Sequence, residues 1–155
     1  MRAVSCVAAV CLFSMGLVAA DNPFVGTWKL NTEKSKGTPG TMNKEGTIVF
    51  EAVGDQMKRT LTGIDPDGEP VTMSATIAWD GKEHKVDALK GPPIMVAVKP
   101  VNDRTINVKV KAADGKALSS GRAVVSKDGK TMTAAFKGED PKGRKFENVE
   151  VFDKQ

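Results

Sequence analysis

The stretch Val71-Thr72-Met73-Ser74-Ala75-Thr76-Ile77-Ala78-Trp79 alternates without a break, with Val71, Met73, Ala75, Ile77 and Trp79 in one phase and Thr72, Ser74, Thr76 and Ala78 in the other. A period of two places successive side chains on opposite faces of an extended chain, so the pattern predicts a half-buried β-strand. Working outward, Ile106, Val108 and Val110 alternate with Asn107, Lys109 and Lys111, and Met132, Ala134 and Phe136 alternate with Thr131, Thr133 and Lys137. β-Branched residues suit a pleated surface of this kind, and no window holds a sustained 3.6-residue period.

The punctuation between these runs is of the hairpin type. Val53-Gly54-Asp55, Asp65-Pro66-Asp67-Gly68, Asp80-Gly81, Lys90-Gly91-Pro92-Pro93, Asn102-Asp103, Asp114-Gly115, Asp128-Gly129 and Asp140-Pro141-Lys142-Gly143 all combine residues that tolerate positive φ with prolines that fix a corner. These eight turns separate nine strands, and the segment before Asn31 adds a tenth. Asn31 to Glu45, rich in Lys, Ser, Gly, Thr and Pro, reads as a loop with room for one short helical turn.

Consecutive strands joined by tight turns form a meander, and closure on itself removes the exposed edges such a sheet would otherwise carry. The expected fold is all-β: an antiparallel up-and-down meander closed into a β-barrel of about 8–10 strands. An outer-membrane barrel alternates too, but turns an apolar face belted with aromatics to the lipid. Here tyrosine is absent and the polar faces carry lysine, which predicts a barrel with its apolar face inward.

Residues 1–20 read as a secretory signal peptide, with Arg2 as the positive start, an apolar run from Ala3 to Val18, and the small residues Val18-Ala19-Ala20 at the cleavage point. Asp21-Asn22-Pro23 follows directly, without the basic residues that would retain a membrane anchor, so no stable membrane insertion is expected after cleavage. The expected location is secreted or periplasmic, with residues 21–155 as a single domain. Cys6 and Cys11 both lie in the leader, and with Val10 before Cys11 no convincing lipoprotein box is present, so the mature chain should be free of cysteine. Of the net charge of +4, one unit belongs to Arg2, and the remaining lysines are interspersed with acids as in Lys137-Gly138-Glu139-Asp140. Without a basic run or stacking aromatics, nucleic acid is not an expected partner.

Phe24-Val25-Gly26-Thr27-Trp28-Lys29-Leu30 resembles the opening strand of lipocalins and fatty-acid-binding proteins, with their Gly-x-Trp motif, and Val149-Glu150-Val151-Phe152-Asp153-Lys154 is similar to a closing strand of that group. The chain from 22 to 154 resembles small bacterial exported lipocalin-like proteins of the calycin superfamily. The resemblance implies that Gly26 and Trp28 belong to a plug at one barrel end, covered by a basic side chain from a late strand. Arg122, in Gly121-Arg122-Ala123-Val124-Val125, is the candidate for that cation–π partner. Two departures stand out. Asn31 to Glu45 is too short and too rich in breakers for the helix-turn-helix lid of fatty-acid-binding proteins, and Glu150-Val151-Phe152 stands where those proteins carry an Arg-x-Tyr pair for a fatty-acid carboxylate.

No catalytic group, metal site or cofactor is expected. Nucleophilic and acid–base chemistry needs a tunable group near the working pH, and beyond the leader the chain has one histidine, His84, beside an expected hairpin turn where an exposed imidazole is ordinary. Asp65-Pro66-Asp67-Gly68-Glu69 lacks the spacing of a calcium loop, and Gly63 and Gly121 fit bends or bulges in curved strands. What remains is the interior. Met73, Ile77, Trp79, Val96, Val98, Ile106, Val108, Met132 and Phe136 are the candidate wall of a cavity for a small hydrophobic molecule. The same side chains could instead fill the barrel, leaving a structural or protein-interaction module, inhibitor-like, with no ligand. The many alanines and valines and few aromatics favour the hollow barrel.

Overall fold

The computed structural model describes residues 22–88 and 91–155; the leader expected over 1–20 and Lys90 of one expected turn lie outside the described residues. The strands are β1 (Gly26–Leu30), β2 (Lys36–Gly37), β3 (Glu45–Val53), β4 (Gln56–Ile64), β5 (Pro70–Ala78), β6 (Glu83–Val86), β7 (Ile94–Asn102), β8 (Thr105–Ala112), β9 (Ala117–Val125), β10 (Thr131–Glu139) and β11 (Lys145–Lys154). Ten of them form one antiparallel sheet in the order β5-β4-β3-β1-β11-β10-β9-β8-β7-β6. Each pairs with a sequence neighbour, and the first strand meets the last, so the meander curls into a nearly closed barrel.

Two connections depart from expectation. The Asp80-Gly81 turn joins β5 to β6, but these strands share no ladder; they are the two ends of the sheet and leave a seam along the barrel wall. The segment from Asn31 to Glu45 holds no helical turn and instead contributes β2. The reason is geometric. β1 has 5 residues and β11 has 10, so β1 pairs only with the last part of β11. β2 takes up the backbone that β1 leaves unpaired, at Asn148 and Val149.

Side chains follow the period-two reading. Along β5, Thr72, Ser74 and Thr76 are exposed, while the alternate Met73, Ala75 and Ile77 face inward. The buried apolar residues gather at one end of the barrel: Phe24, Trp28, Phe50, Met57, Ile77, Val98, Ile106, Val125, Met132 and Phe152 sit near the β3–β4, β7–β8 and β9–β10 turns. Phe24, Phe50 and Trp79 meet edge to face with ring centroids 5.3–6.1 Å apart, a geometry worth about 0.5–1.5 kcal/mol per pair beyond area burial.

Trp28 is fully buried, and its Nε1–H donates to the Phe24 carbonyl at 2.8 Å, so the indole's polar atom is satisfied. The cation over its ring is Lys154, with Nζ 5.0 Å from the centroid, and not Arg122. Phase explains the difference. Gly121 and Ala123 hold the inward positions of β9, so Arg122 between them points outward, exposed, with its Nε donating to Asn107 Oδ1 at 3.0 Å. Lys154 lies directly opposite Trp28 in the β1–β11 register and therefore shares its face. Gly26 makes room for it: at φ 131° the backbone suits glycine, and a Cβ there would come within 2.9 Å of Lys154 Cε.

The acids of the turns cap backbone amides. Asp65 Oδ1 accepts from the N–H groups of Asp67 and Glu69 at 2.9 and 2.8 Å, and Asp140 Oδ1 accepts from Lys142 and Arg144, both at 2.9 Å. Asp80, Asp114 and Asp128 each do the same for the amide two residues on. The register runs unbroken through Gly63 and Gly121, and the irregularities fall instead at Pro100/Asn102 and Val110/Lys111. What these glycines provide is close approach: a Cβ at Gly63 would lie 2.1 Å from the Glu45 carbonyl oxygen on the adjacent strand.

Candidate functional site

Above the aromatic cluster the inward positions mix polar residues such as Arg59, Asn148 and Glu150 with apolar ones such as Val96, Val108 and Phe136, and the barrel is hollow. A cavity of about 390 Å3 occupies this space, within the range of small-molecule pockets. Phe50, Trp79 and Phe152 border it together with Ile48, Met57 and Met132, below which Trp28 seals the end. Met73, Ile77, Trp79, Val96, Val98, Ile106, Val108, Met132 and Phe136 all border this one cavity, drawn from β5, β7, β8, β10 and the β5–β6 turn. They converge because each occupies the inward phase of its strand.

The opposite wall is built by the segment after β1, which crosses the upper barrel as a strap and brings Thr41 and Asn43 to the cavity. Asn148 pins it. The side-chain Oδ1 accepts from the Thr38 N–H at 3.0 Å and the Thr41 hydroxyl at 3.1 Å, while Nδ2 donates to the Thr41 carbonyl at 3.4 Å. Ser35 adds a second tie, its hydroxyl donating to the Asn31 carbonyl at 2.7 Å and accepting from the Val151 N–H at 2.9 Å. The approach at Gly37 is so close that a Cβ would lie 2.2 Å from Asn148 Oδ1.

Two charged residues face the same cavity: Arg59 from the middle of β4 and Glu150 from β11. Both are half-buried because the cavity itself exposes them, yet protein surrounds them. Burial lowers Arg59 from its usual range, with Glu150 pulling it back up. Burial likewise pushes Glu150 above the ordinary carboxylate range, opposed by the charge of Arg59 and by a hydrogen bond from the Asn43 backbone. They feel each other's field without closing to an ion pair within 4.0 Å.

Neither residue was singled out by sequence reading, although a signal for each exists. Met57, Arg59 and Leu61 share the inward phase of β4, as Asn148, Glu150 and Phe152 share that of β11, so each inward series carries one charge, between two apolar residues on β4 and between Asn148 and Phe152 on β11. His84, by contrast, lies outside the cavity lining, with Nε2 2.9 Å from Asp80 Oδ1 at the exposed β5–β6 turn.

No family model matches the chain, and no curated protein matches it by sequence. Solved structures do. A Schistosoma mansoni fatty acid binding protein in complex with arachidonic acid superposes with a TM-score of 0.58 at 15% identity, covering 87% of this chain and 98% of that one. As-p18, an extracellular fatty acid binding protein, gives 0.56 at 12% identity, covering 89% and 100%. Zebrafish ileal bile acid-binding protein complexed with cholic acid gives 0.55 at 10% identity, covering 86% and 99%. At these identities the likeness establishes the fold alone: the chain shares the antiparallel barrel of these proteins, the fold that the Gly26-Thr27-Trp28 resemblance implied.

Proposed function

We propose that this chain is an exported binding barrel that takes up one small hydrophobic or amphipathic molecule in its interior and performs no covalent chemistry on it. The carrying observation is the cavity of about 390 Å3 with a predominantly apolar wall, since a barrel serving only as a scaffold gains stability by filling such space. Desolvation of the ligand against Met73, Val96, Val108 and Phe136 supplies the affinity, at roughly 25 cal/mol per Å2 of apolar surface buried. The two methionines of the lining besides Met57, Met73 and Met132, are soft enough to adapt to more than one ligand shape. Two of the structural neighbours are complexes with arachidonic acid and with cholic acid, which supports a ligand of this kind here. The leader-like residues 1–20 support export, which N-terminal sequencing of the purified protein tests by whether it begins at Asp21.

Native mass spectrometry of the protein from its own source, with organic extraction of what accompanies it, tests the binding reading. A stoichiometric apolar molecule is expected, and an added hydrophobic fluorescent dye should brighten in the emptied protein and be displaced by it. A clean unliganded mass together with no dye enhancement would overturn the reading.

A further inference from the structure

We propose that Arg59 and Glu150 together form a head-group site inside the cavity, selecting amphiphiles whose uncharged polar end both accepts and donates hydrogen bonds, such as a primary amide, over simple fatty carboxylates. This rests on the cavity being a ligand site. The residues lie on β4 and β11, which the order β4-β3-β1-β11 separates by two strands, so the two side chains enter the one cavity from different parts of its wall. Both are half-buried and face the cavity, held by the barrel wall, yet they stop short of a direct ion pair. Buried charges in that state are incompletely compensated and favour a group that enters between them.

The chemistry of that group follows from the two partners. A guanidinium only donates, and an ionised carboxylate only accepts. A group between them must therefore offer an acceptor to Arg59 and a donor to Glu150. A primary amide presents both within one planar unit. The pair has no net charge, so nothing in it favours an anion, and an ionised fatty acid would bring a second carboxylate against Glu150 in a poorly screened interior. Thr41, Asn43 and Asn148 border the same cavity as the pair and add uncharged polar atoms, while Met73, Val96 and Phe136 leave the alkyl chain an apolar wall.

Dye displacement by a chain-matched pair, dodecanamide and dodecanoate, tests this at pH 8, where the free fatty acid is ionised. Wild-type protein is expected to bind the amide at least about tenfold more tightly than the carboxylate. Glu150→Gln keeps the shape and removes the repelling charge, so carboxylate affinity should rise about tenfold while amide affinity changes by less than about threefold. Arg59→Gln should weaken the amide, and Arg59→Lys serves as the variant that keeps a cation should the first fail to fold by circular dichroism. Equal binding of both ligands by wild type, or an unchanged ratio in Glu150→Gln, overturns the head-group site while leaving the binding barrel standing. Failure of dye and both ligands to bind at all removes the binding barrel itself.

Discussion

The two ends of this barrel interior are made from the same strands but solve different problems. At the Trp28 end, Phe24, Phe50, Met132, Val125 and Phe152 are nearly inaccessible, and the one polar group of the plug, the indole N–H, is bonded to the chain. At the strap end, the inward phase carries Arg59, Glu150 and Asn148 beside apolar residues such as Val96 and Val108, and the space between them is open. The difference separates stability from space: one end packs the barrel together, and the other forgoes packing and leaves room.

Breaking the sealed end should cost most. Trp28→Ala is expected to lower unfolding free energy by about 3–5 kcal/mol in urea titrations, because it deletes a large aromatic from a packed site that cannot collapse. Phe136→Ala, at a half-buried position already facing the cavity, should cost no more than about 2 kcal/mol. Equal losses would erase the contrast between the ends. Asn148→Ala comes next: it leaves the Thr38 N–H without its acceptor in a part-buried site, which should cost about 1–3 kcal/mol and speed amide exchange at Thr38. Lys154→Ala should be milder still, at about 0.5–1 kcal/mol, since the cation over Trp28 is itself exposed.

The smallest effects per residue belong to pH, and they carry opposite signs inside and outside. Asp67 is held below the usual carboxylate range first by its hydrogen bond from Lys142, Asp128 by that from Ser126, and Asp153 by that from Asn31. The folded state binds protons less readily there, so these groups stabilise above the unfolded aspartate pKa of about 3.9, and that contribution fades as pH falls through their lower folded values. Glu150 is raised, so its contribution is complete below the unfolded glutamate pKa of about 4.3 and is lost as pH rises through its elevated folded value. Glu150→Gln should therefore gain stability relative to wild type as pH rises across that window, and a pH-independent difference in urea midpoints contradicts this.

Much of the interior was legible because period two is a local rule. Once Val71 to Trp79 was read as a strand, inward and outward positions followed, and the nine residues of the expected cavity wall all border one space. Arg122 went wrong where the motif overrode the rule: Gly121 and Ala123 on either side already occupied the inward phase of β9. The same rule marks Arg59 and Glu150, charges sitting on the inward phase of their strands. The pairing of β2 with β11 and the missing ladder between β5 and β6 depend on residues more than a hundred apart or on how the sheet curls, and neither leaves a trace in adjacent residues.

That missing ladder has a mechanical meaning. In a fully closed barrel, strand number and stagger fix the girth, and every strand is held on both sides. Here the ring is split, like a spring clip, and its circumference is set partly by how far β5 stands from β6 rather than by hydrogen bonds alone. The internal volume is thus not fixed by ladders alone: widening the split would enlarge it at the cost of side-chain contacts, with every existing ladder left intact.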